Sequence, residues 1–263
     1  MNASRRNHFK LAGSSALLGA VASKAAWLKP LGALLGTWPI SYAAQASNAP
    51  NRLLPSTELV YDLTGMQKGL RYNATATLRW QRNNSRYVAA LSARILVVFK
   101  RNQTSQGRIV GQALQPSLFM DEGKRIRQAS FNAPERRIDY TESGPAPYTP
   151  ETQDRLSIYF TLPALMAQAR QRQRNTFSVP VSSANSLTQW DFNIGAREVI
   201  DTPMGQWPAQ TLSRVRQTTD DTSAKLWYGG TDGLLPLRIR LEDSDGTWLE
   251  QSLRSHTRID DLP

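Results

Sequence analysis

Arg71-Tyr72-Asn73-Ala74-Thr75-Ala76-Thr77-Leu78-Arg79-Trp80-Gln81 alternates polar and apolar residues without a break. A period of two makes a strand with one wet face and one buried face. At about 3.4 Å per residue the run extends roughly 37 Å, long for a globular strand and suited to a curved sheet or barrel wall. Asn83-Asn84 follows as a turn. Alternation then resumes in Tyr87, Ala89, Leu91, Ala93, Ile95, Val97 and Phe99, with Arg86, Ser92 and Arg94 on the other side. Two such runs joined by Asn-Asn predict a β-hairpin. Towards Leu96 and Val98 the second face turns apolar too, which predicts cover from another element.

Outward from the hairpin, shorter alternating runs continue along the chain. They are Glu58–Leu63, Gly107–Leu114, Arg125–Phe131, Arg136–Tyr140, Thr176–Val181, Thr188–Ile194, Trp207–Arg216, Lys225–Tyr228, Pro236–Glu242 and Trp248–Leu253. Turn formers separate many of them, among them Asp121-Glu122-Gly123, Gly229-Gly230 and Asp232-Gly233. The pattern predicts a mainly β fold, a curved antiparallel sheet or half-open barrel. Asp154–Arg172 breaks the rhythm, carrying Leu156, Tyr159, Phe160, Leu162, Leu165 and Met166 at helical spacing. Pro163 either opens a second helix or kinks a single one, so one or two short helices are expected on the concave side of the sheet.

Residues 1–46 read as a cleavable export signal. They hold Arg5, Arg6, Lys10, Lys24 and Lys29 and no Asp or Glu, with apolar runs Leu11–Ser23 and Leu31–Ile40. Ala44-Gln45-Ala46 supplies the small residues for cleavage before Ser47. Each apolar run is shorter than the roughly 20 residues a membrane-spanning helix needs. Arg5 and Arg6, followed by Phe9 and Lys10, fit a twin-arginine signal. Lys24 and Lys29 ahead of Leu31–Ile40 also fit the rival general secretory route. Both routes predict a periplasmic protein with no stable transmembrane segment after cleavage. Residues 47–56 form a flexible lead-in, 57–255 a single β domain, and 256–263 a polar tail.

Composition narrows the chemistry. The five cations of the leader account for part of the formal +11, leaving about +6 on the 217 residues that follow. That length suits one domain. Arginines scattered along strands make a solvated outer face, and no nucleic-acid module is recognisable. Cysteine is absent, which removes disulfides, thiolate metal sites and cysteine nucleophiles. His256 is the one histidine beyond the leader, too few for a Ser-His-Asp triad or a multi-histidine metal site within one chain. No catalytic residue, metal site or cofactor is expected.

Several stretches together resemble the DUF3108 family of exported bacterial proteins of unknown function. They are Leu59-Val60-Tyr61-Asp62-Leu63, the Ala74–Trp80 strand and Asp154-Arg155-Leu156-Ser157. Further on come Glu198-Val199-Ile200-Asp201-Thr202-Pro203-Met204-Gly205, Lys225-Leu226-Trp227-Tyr228 and Leu235-Pro236-Leu237-Arg238-Ile239. They span about residues 57–253. The resemblance implies a curved antiparallel sheet similar to the half-barrels of periplasmic lipoprotein carriers, and it brings no catalytic residues with it.

The candidate ligand-facing residues are Tyr72, Ala74, Ala76, Leu78, Trp80, Tyr87, Ala89, Leu91, Ala93 and Ile95. Small alanines between large aromatics leave an apolar trough that would take an acyl chain, at roughly 0.8 kcal/mol per buried methylene. Close packing offers the other reading, in which the 154–172 helix fills the space and the alanines permit its approach. Asp220-Asp221, Asp243/Asp245 and Asp260-Asp261 sit in turn or tail segments and read as turn formers. Asp243-Ser244-Asp245-Gly246 begins like a calcium loop but lacks the closing bidentate Glu. Thr202-Pro203 sets an extended residue before a tight turn, and Gly205 suits positive φ. Glu142, Asp154 and Arg155 are candidates for a buried polar contact. The expectation is an exported, non-enzymatic binding or chaperone-like module for an acyl chain, lipoprotein segment or glycolipid. The alternative is an envelope structural module that docks another protein on an outer face or sheet edge.

Overall fold

A computed structural model describes residues 53–67, 69–95 and 99–263. The export segment, with Arg5, Arg6, Ala44, Ala46 and Ser47, lies outside them, as do Leu96 and Val98. The first half of the chain forms β1 (Thr57–Gln67), β2 (Leu70–Arg82), β3 (Arg86–Ile95), β4 (Phe99–Val110), β5 (Ala113–Glu122), β6 (Ile126–Asn132), β7 (Arg137–Tyr140), β8 (Ala146–Pro147) and β9 (Gln153–Asp154). Helix α1 (Ile158–Gln171) follows. The rest is β10 (Thr176–Ser182), β11 (Leu187–Thr202), β12 (Gly205–Val215), β13 (Ser223–Gly229), β14 (Leu235–Glu242) and β15 (Trp248–Arg258).

All of these strands join one sheet, ordered β8-β7-β6-β5-β4-β3-β2-β1-β15-β14-β13-β12-β11-β10-β9. Every neighbouring pair is antiparallel except the short β9–β10 pair. The chain runs from one sheet edge to the other through Tyr148–Thr152, so the sheet curls until its edges are close. Side chains stitch that seam: Tyr140 Oη and Ser182 Oγ are 2.9 Å apart, and Ser143 Oγ donates to the Asn185 carbonyl at 2.7 Å. Register shifts at Val60/Tyr61, Gln106/Gly107, Ile194/Arg197 and Trp227/Tyr228 add local bend.

The β2–β3 hairpin forms as the alternation predicts. Trp80 lies opposite Ala89, Leu78 opposite Leu91 and Ala76 opposite Ala93. Asn83 shapes the turn by accepting the Ser85 and Arg86 amides on Oδ1, at 2.9 and 2.8 Å.

Helix α1 is single, and Pro163 sits within it. Ile158, Leu162, Met166 and Ala169 recur on one face and pack on the inner face of β10–β14, against Phe192, Leu212, Leu226 and Ile239. Phe160 and the preceding Leu156 belong to a second cluster, in which Leu59, Trp80, Phe119 and Ile138 meet Ile200, Trp227, Leu237 and Leu253. The helix therefore bridges the two halves of the core. Among the described residues no helix is long and apolar enough to cross a membrane.

Four segment boundaries differ from the sequence reading. Gly107–Leu114 is not one run: the chain turns back at Gly111-Gln112 from β4 into β5. β11 continues past Ile194, because the bulge there restores pairing as far as Thr202. The last residues of the lead-in are fixed, with Leu53 and Leu54 buried in the core. Residues 256–258 belong to β15, and the segment after them lies along the hairpin. Ile259 N donates to Ser56 O at 3.1 Å and Leu262 N to Arg82 O at 3.1 Å.

Candidate functional site

The inward row of β2 and β3 divides into a closed end and an open end. At the closed end Ala76, Leu78, Trp80, Tyr87 and Ala89 are no more than 2% exposed. The Trp80 ring stacks on Phe160 of α1, centroids 4.0 Å apart, and on Tyr87 at 5.3 Å. Trp80 Nε1 donates to the Leu54 carbonyl at 2.8 Å, so its polar atom is satisfied. Here the helix fills the space between the alanines, as the packing alternative expects.

The open end differs. Tyr72, Ala74, Leu91 and Ala93 are half-buried. After Phe160, α1 leaves this wall for β10–β14, and no other helix covers it among the described residues. Tyr72 lies over Gly65 on β1; a Cβ there would come within 2.3 Å of its ring. The backbone of Ile95 ends β3, and its side chain lies outside the described residues.

Charge enters this face from β4. Arg101 stands opposite Ala93. Its guanidinium makes a bidentate pair with Asp121 of β5, Nε to Oδ1 at 2.9 Å and Nη2 to Oδ2 at 2.7 Å. That pair raises the Arg101 pKa against the effect of burial. Arg155, three residues before α1, is exposed. Burial lowers its pKa, and the nearby Arg101 charge lowers it further. The Asp121 and Asp243 charges oppose that lowering in part. Burial pushes the Tyr159 hydroxyl up, and Arg155 and Arg101 partly offset the rise.

Asp154 is fully buried beneath the closed end. Its Oδ1 accepts the Leu156 and Ser157 amides at 2.8 Å each, and Ser105 Oγ donates to Oδ2 at 2.5 Å. Burial pushes its pKa up to about 6, against the pull of those hydrogen bonds. It ties β9 and the entry to α1 onto β4. The expected contact of Glu142, Asp154 and Arg155 is absent. Glu142 instead takes Arg127 at 2.7 Å and Arg125 at 3.5 Å on the surface.

Asp245 and Asp221 hold turns, as the sequence predicts. Asp245 Oδ1 accepts the Thr247 amide at 2.8 Å, and Asp221 Oδ2 accepts Gln217 N at 2.8 Å. Thr202–Gly205 is the tight β11–β12 turn: Gly205 has φ +106°, and Thr202 Oγ1 accepts Met204 N at 3.1 Å. Two open surface concavities lie away from the inward row. One of about 410 Å³ is lined by Arg108, Pro116, Phe131, Pro134 and Tyr148, and one of about 250 Å³ by Leu53, Arg82, Ile109 and Gly111. No group of three or more His, Asp or Glu suited to a metal ion occurs among the described residues.

Arg101 and Asp121 were not singled out by the sequence as an inward group. A signal for Arg101 exists in the parity of β4, where Arg101, Gln103 and Ser105 fall at inward positions.

The family model DUF3108, a protein of unknown function, matches residues 60–254. The crystal structure of a beta-barrel-like protein of domain of unknown function DUF1849 from Brucella abortus is similar, with a TM-score of 0.53 at 7% identity. The match covers 80% of this chain and 100% of that one. At such identity the likeness is one of fold. No curated protein matches the chain.

Proposed function

Because the chain belongs to the DUF3108 family, whose function is unknown, we propose from its geometry that it is an exported periplasmic binding or chaperone-like module. It shelters an apolar ligand, such as an acyl chain, lipoprotein segment or glycolipid, on the inner face of its curled sheet. The observation that carries this reading is the open end of the inward row. Tyr72, Ala74, Leu91 and Ala93 are only half-buried there, on the face that forms core at the other end of the hairpin. Covering that surface with a chain contributes roughly 0.8 kcal/mol per methylene. The lack of cysteine and the single histidine beyond the leader support a non-enzymatic role. Export follows from residues 1–46, and a mature N-terminus at Ser47 measured by mass spectrometry would support it.

One observation favours a second reading, an envelope structural module with a filled core. Phe160 already occupies the space over Trp80. Titration with the uncharged fluorophore N-phenyl-1-naphthylamine separates the two. Sheltering predicts saturable binding that Ala93→Trp abolishes. An absence of binding by the wild type would favour the filled module.

A further inference from the structure

Strand β11 outruns its partner on one side. β10 pairs with it over residues 187–193, and the Asn175 carbonyl takes the Ile194 amide at 2.7 Å. On the other side β12 accompanies it as far as Thr202. Over residues 195–202 no strand pairs with the β10 side among the described residues. Residues 195–199 are exposed without interruption, and Val199 is 67% exposed, so the edge lies open to solvent.

The ladder fixes which backbone groups face that open side. Thr202 and Gly205 close a two-residue turn, so Thr202, Ile200 and Glu198 exchange hydrogen bonds with β12. Arg197, Val199 and Asp201 turn their N–H and C=O groups outward. Pro208, which has no amide to give, stands opposite Val199 in agreement with this. So does the Asp201 carbonyl, which accepts from the Arg238 guanidinium and is not spent on β12. The side chains of Arg197, Val199 and Asp201 share one face and are exposed. Their neighbours Glu198 and Arg238 are paired with Lys225 and Glu250. Arg197 and Asp201 themselves have no ion-pair partner among the described residues.

We propose that two copies of this chain join here, β11 against β11, antiparallel and centred on Val199. A two-fold axis at that residue sets Val199 against its own copy and Arg197 against Asp201 in both directions. Two apolar side chains then meet on one face, flanked by two opposite-charge pairs. The backbone matches the same register: both polar groups of Val199 point outward, so the copies exchange two hydrogen bonds at the axis. A one-residue shift would set each outward group against one already bonded to β12, and a two-residue shift would lose the charge match. The Asp201 carbonyl keeps a second lone pair for the Arg197 amide of the other copy. The contact is the same patch on both chains, so it closes at a dimer. It stands independently of the sheltering reading, since its residues are not those of the β2–β3 row.

Sedimentation equilibrium at loadings from about 1 to about 500 µM covers the weak range of a short interface. Wild type should show a reversible monomer–dimer equilibrium. Arg197→Asp sets acid against acid and Asp201→Arg sets base against base, and each should weaken dimerisation about tenfold or more. An equimolar mixture of the two variants restores opposite charges at both positions and should regain dimer close to the wild-type level. Val199→Pro removes the outward amide at the axis and no bond to β12, so it should unfold near the wild-type temperature and be monomeric. Should the proline unfold the protein, the mixture decides alone. A monomeric wild type throughout would overturn the proposal and leave the edge to an extended segment of another protein. A dimer that persists in folded Val199→Pro, or a mixture no tighter than its separate components, would overturn it as well.

Discussion

Tyr228 donates its hydroxyl to the Tyr159 carbonyl at 2.9 Å, and Tyr159 is the residue four places before Pro163. In an α-helix that carbonyl would accept the amide of residue 163, which proline lacks. The strand β13 thus supplies the donor that the helix has lost. Tyr228→Phe should destabilise the protein by about 1–3 kcal/mol, the cost of a buried acceptor left unmade. In a Pro163→Ala background the same change should cost less, because the alanine amide can serve the carbonyl. Urea unfolding of the four proteins measures this. Equal costs in both backgrounds would refute the exchange of donors.

Asp154 gives a pH dependence with a definite sign. Its folded pKa of about 6 lies above the ordinary value of 3.8, so the native state binds the proton more tightly than the unfolded chain. Stability from this group is greatest below the unfolded value and falls as pH rises from about 4 to about 6. The loss is on the order of 3 kcal/mol. Asp154→Asn keeps the shape and an acceptor for the Leu156 and Ser157 amides but cannot ionise. The stability of the wild type relative to Asp154→Asn should therefore decline across that window. A flat difference in chemical unfolding from pH 4 to 7 would contradict the assignment.

Ala76 and Ala93 face each other across the hairpin yet should respond differently to tryptophan. Ala76 is 1% exposed, with no room for an indole, and Ala76→Trp should cost about 3 kcal/mol or more. Ala93 is half-buried at the open end, so Ala93→Trp should fold with a smaller loss while blocking the trough. Thermal unfolding reads the first difference and fluorophore binding the second. Comparable unfolding of both variants would mean the trough is core along its whole length.

The hairpin and the sheet were legible in the sequence because a half-buried strand writes its two faces into every second residue. Trp80, Leu78 and Ala76 fall on the buried face for that reason. The closed end was not legible as closed, since the Phe160–Trp80 stack joins residues that no local pattern relates. The same holds for Ser105 and Asp154, 49 positions apart. The parity of β4 puts Arg101 on the inward face, but only tertiary pairing sets it beside Ala93 and against Asp121.

The most direct test of the sheltering account is native mass spectrometry of the protein purified without detergent from cells that produce it, beside Ala93→Trp prepared identically. The account predicts an added mass in the range of an acyl-bearing lipid on the wild type, released by mild activation and missing from the variant. Wild-type protein that flies at its bare polypeptide mass, and takes up no lipid on mixing with anionic vesicles, would contradict it.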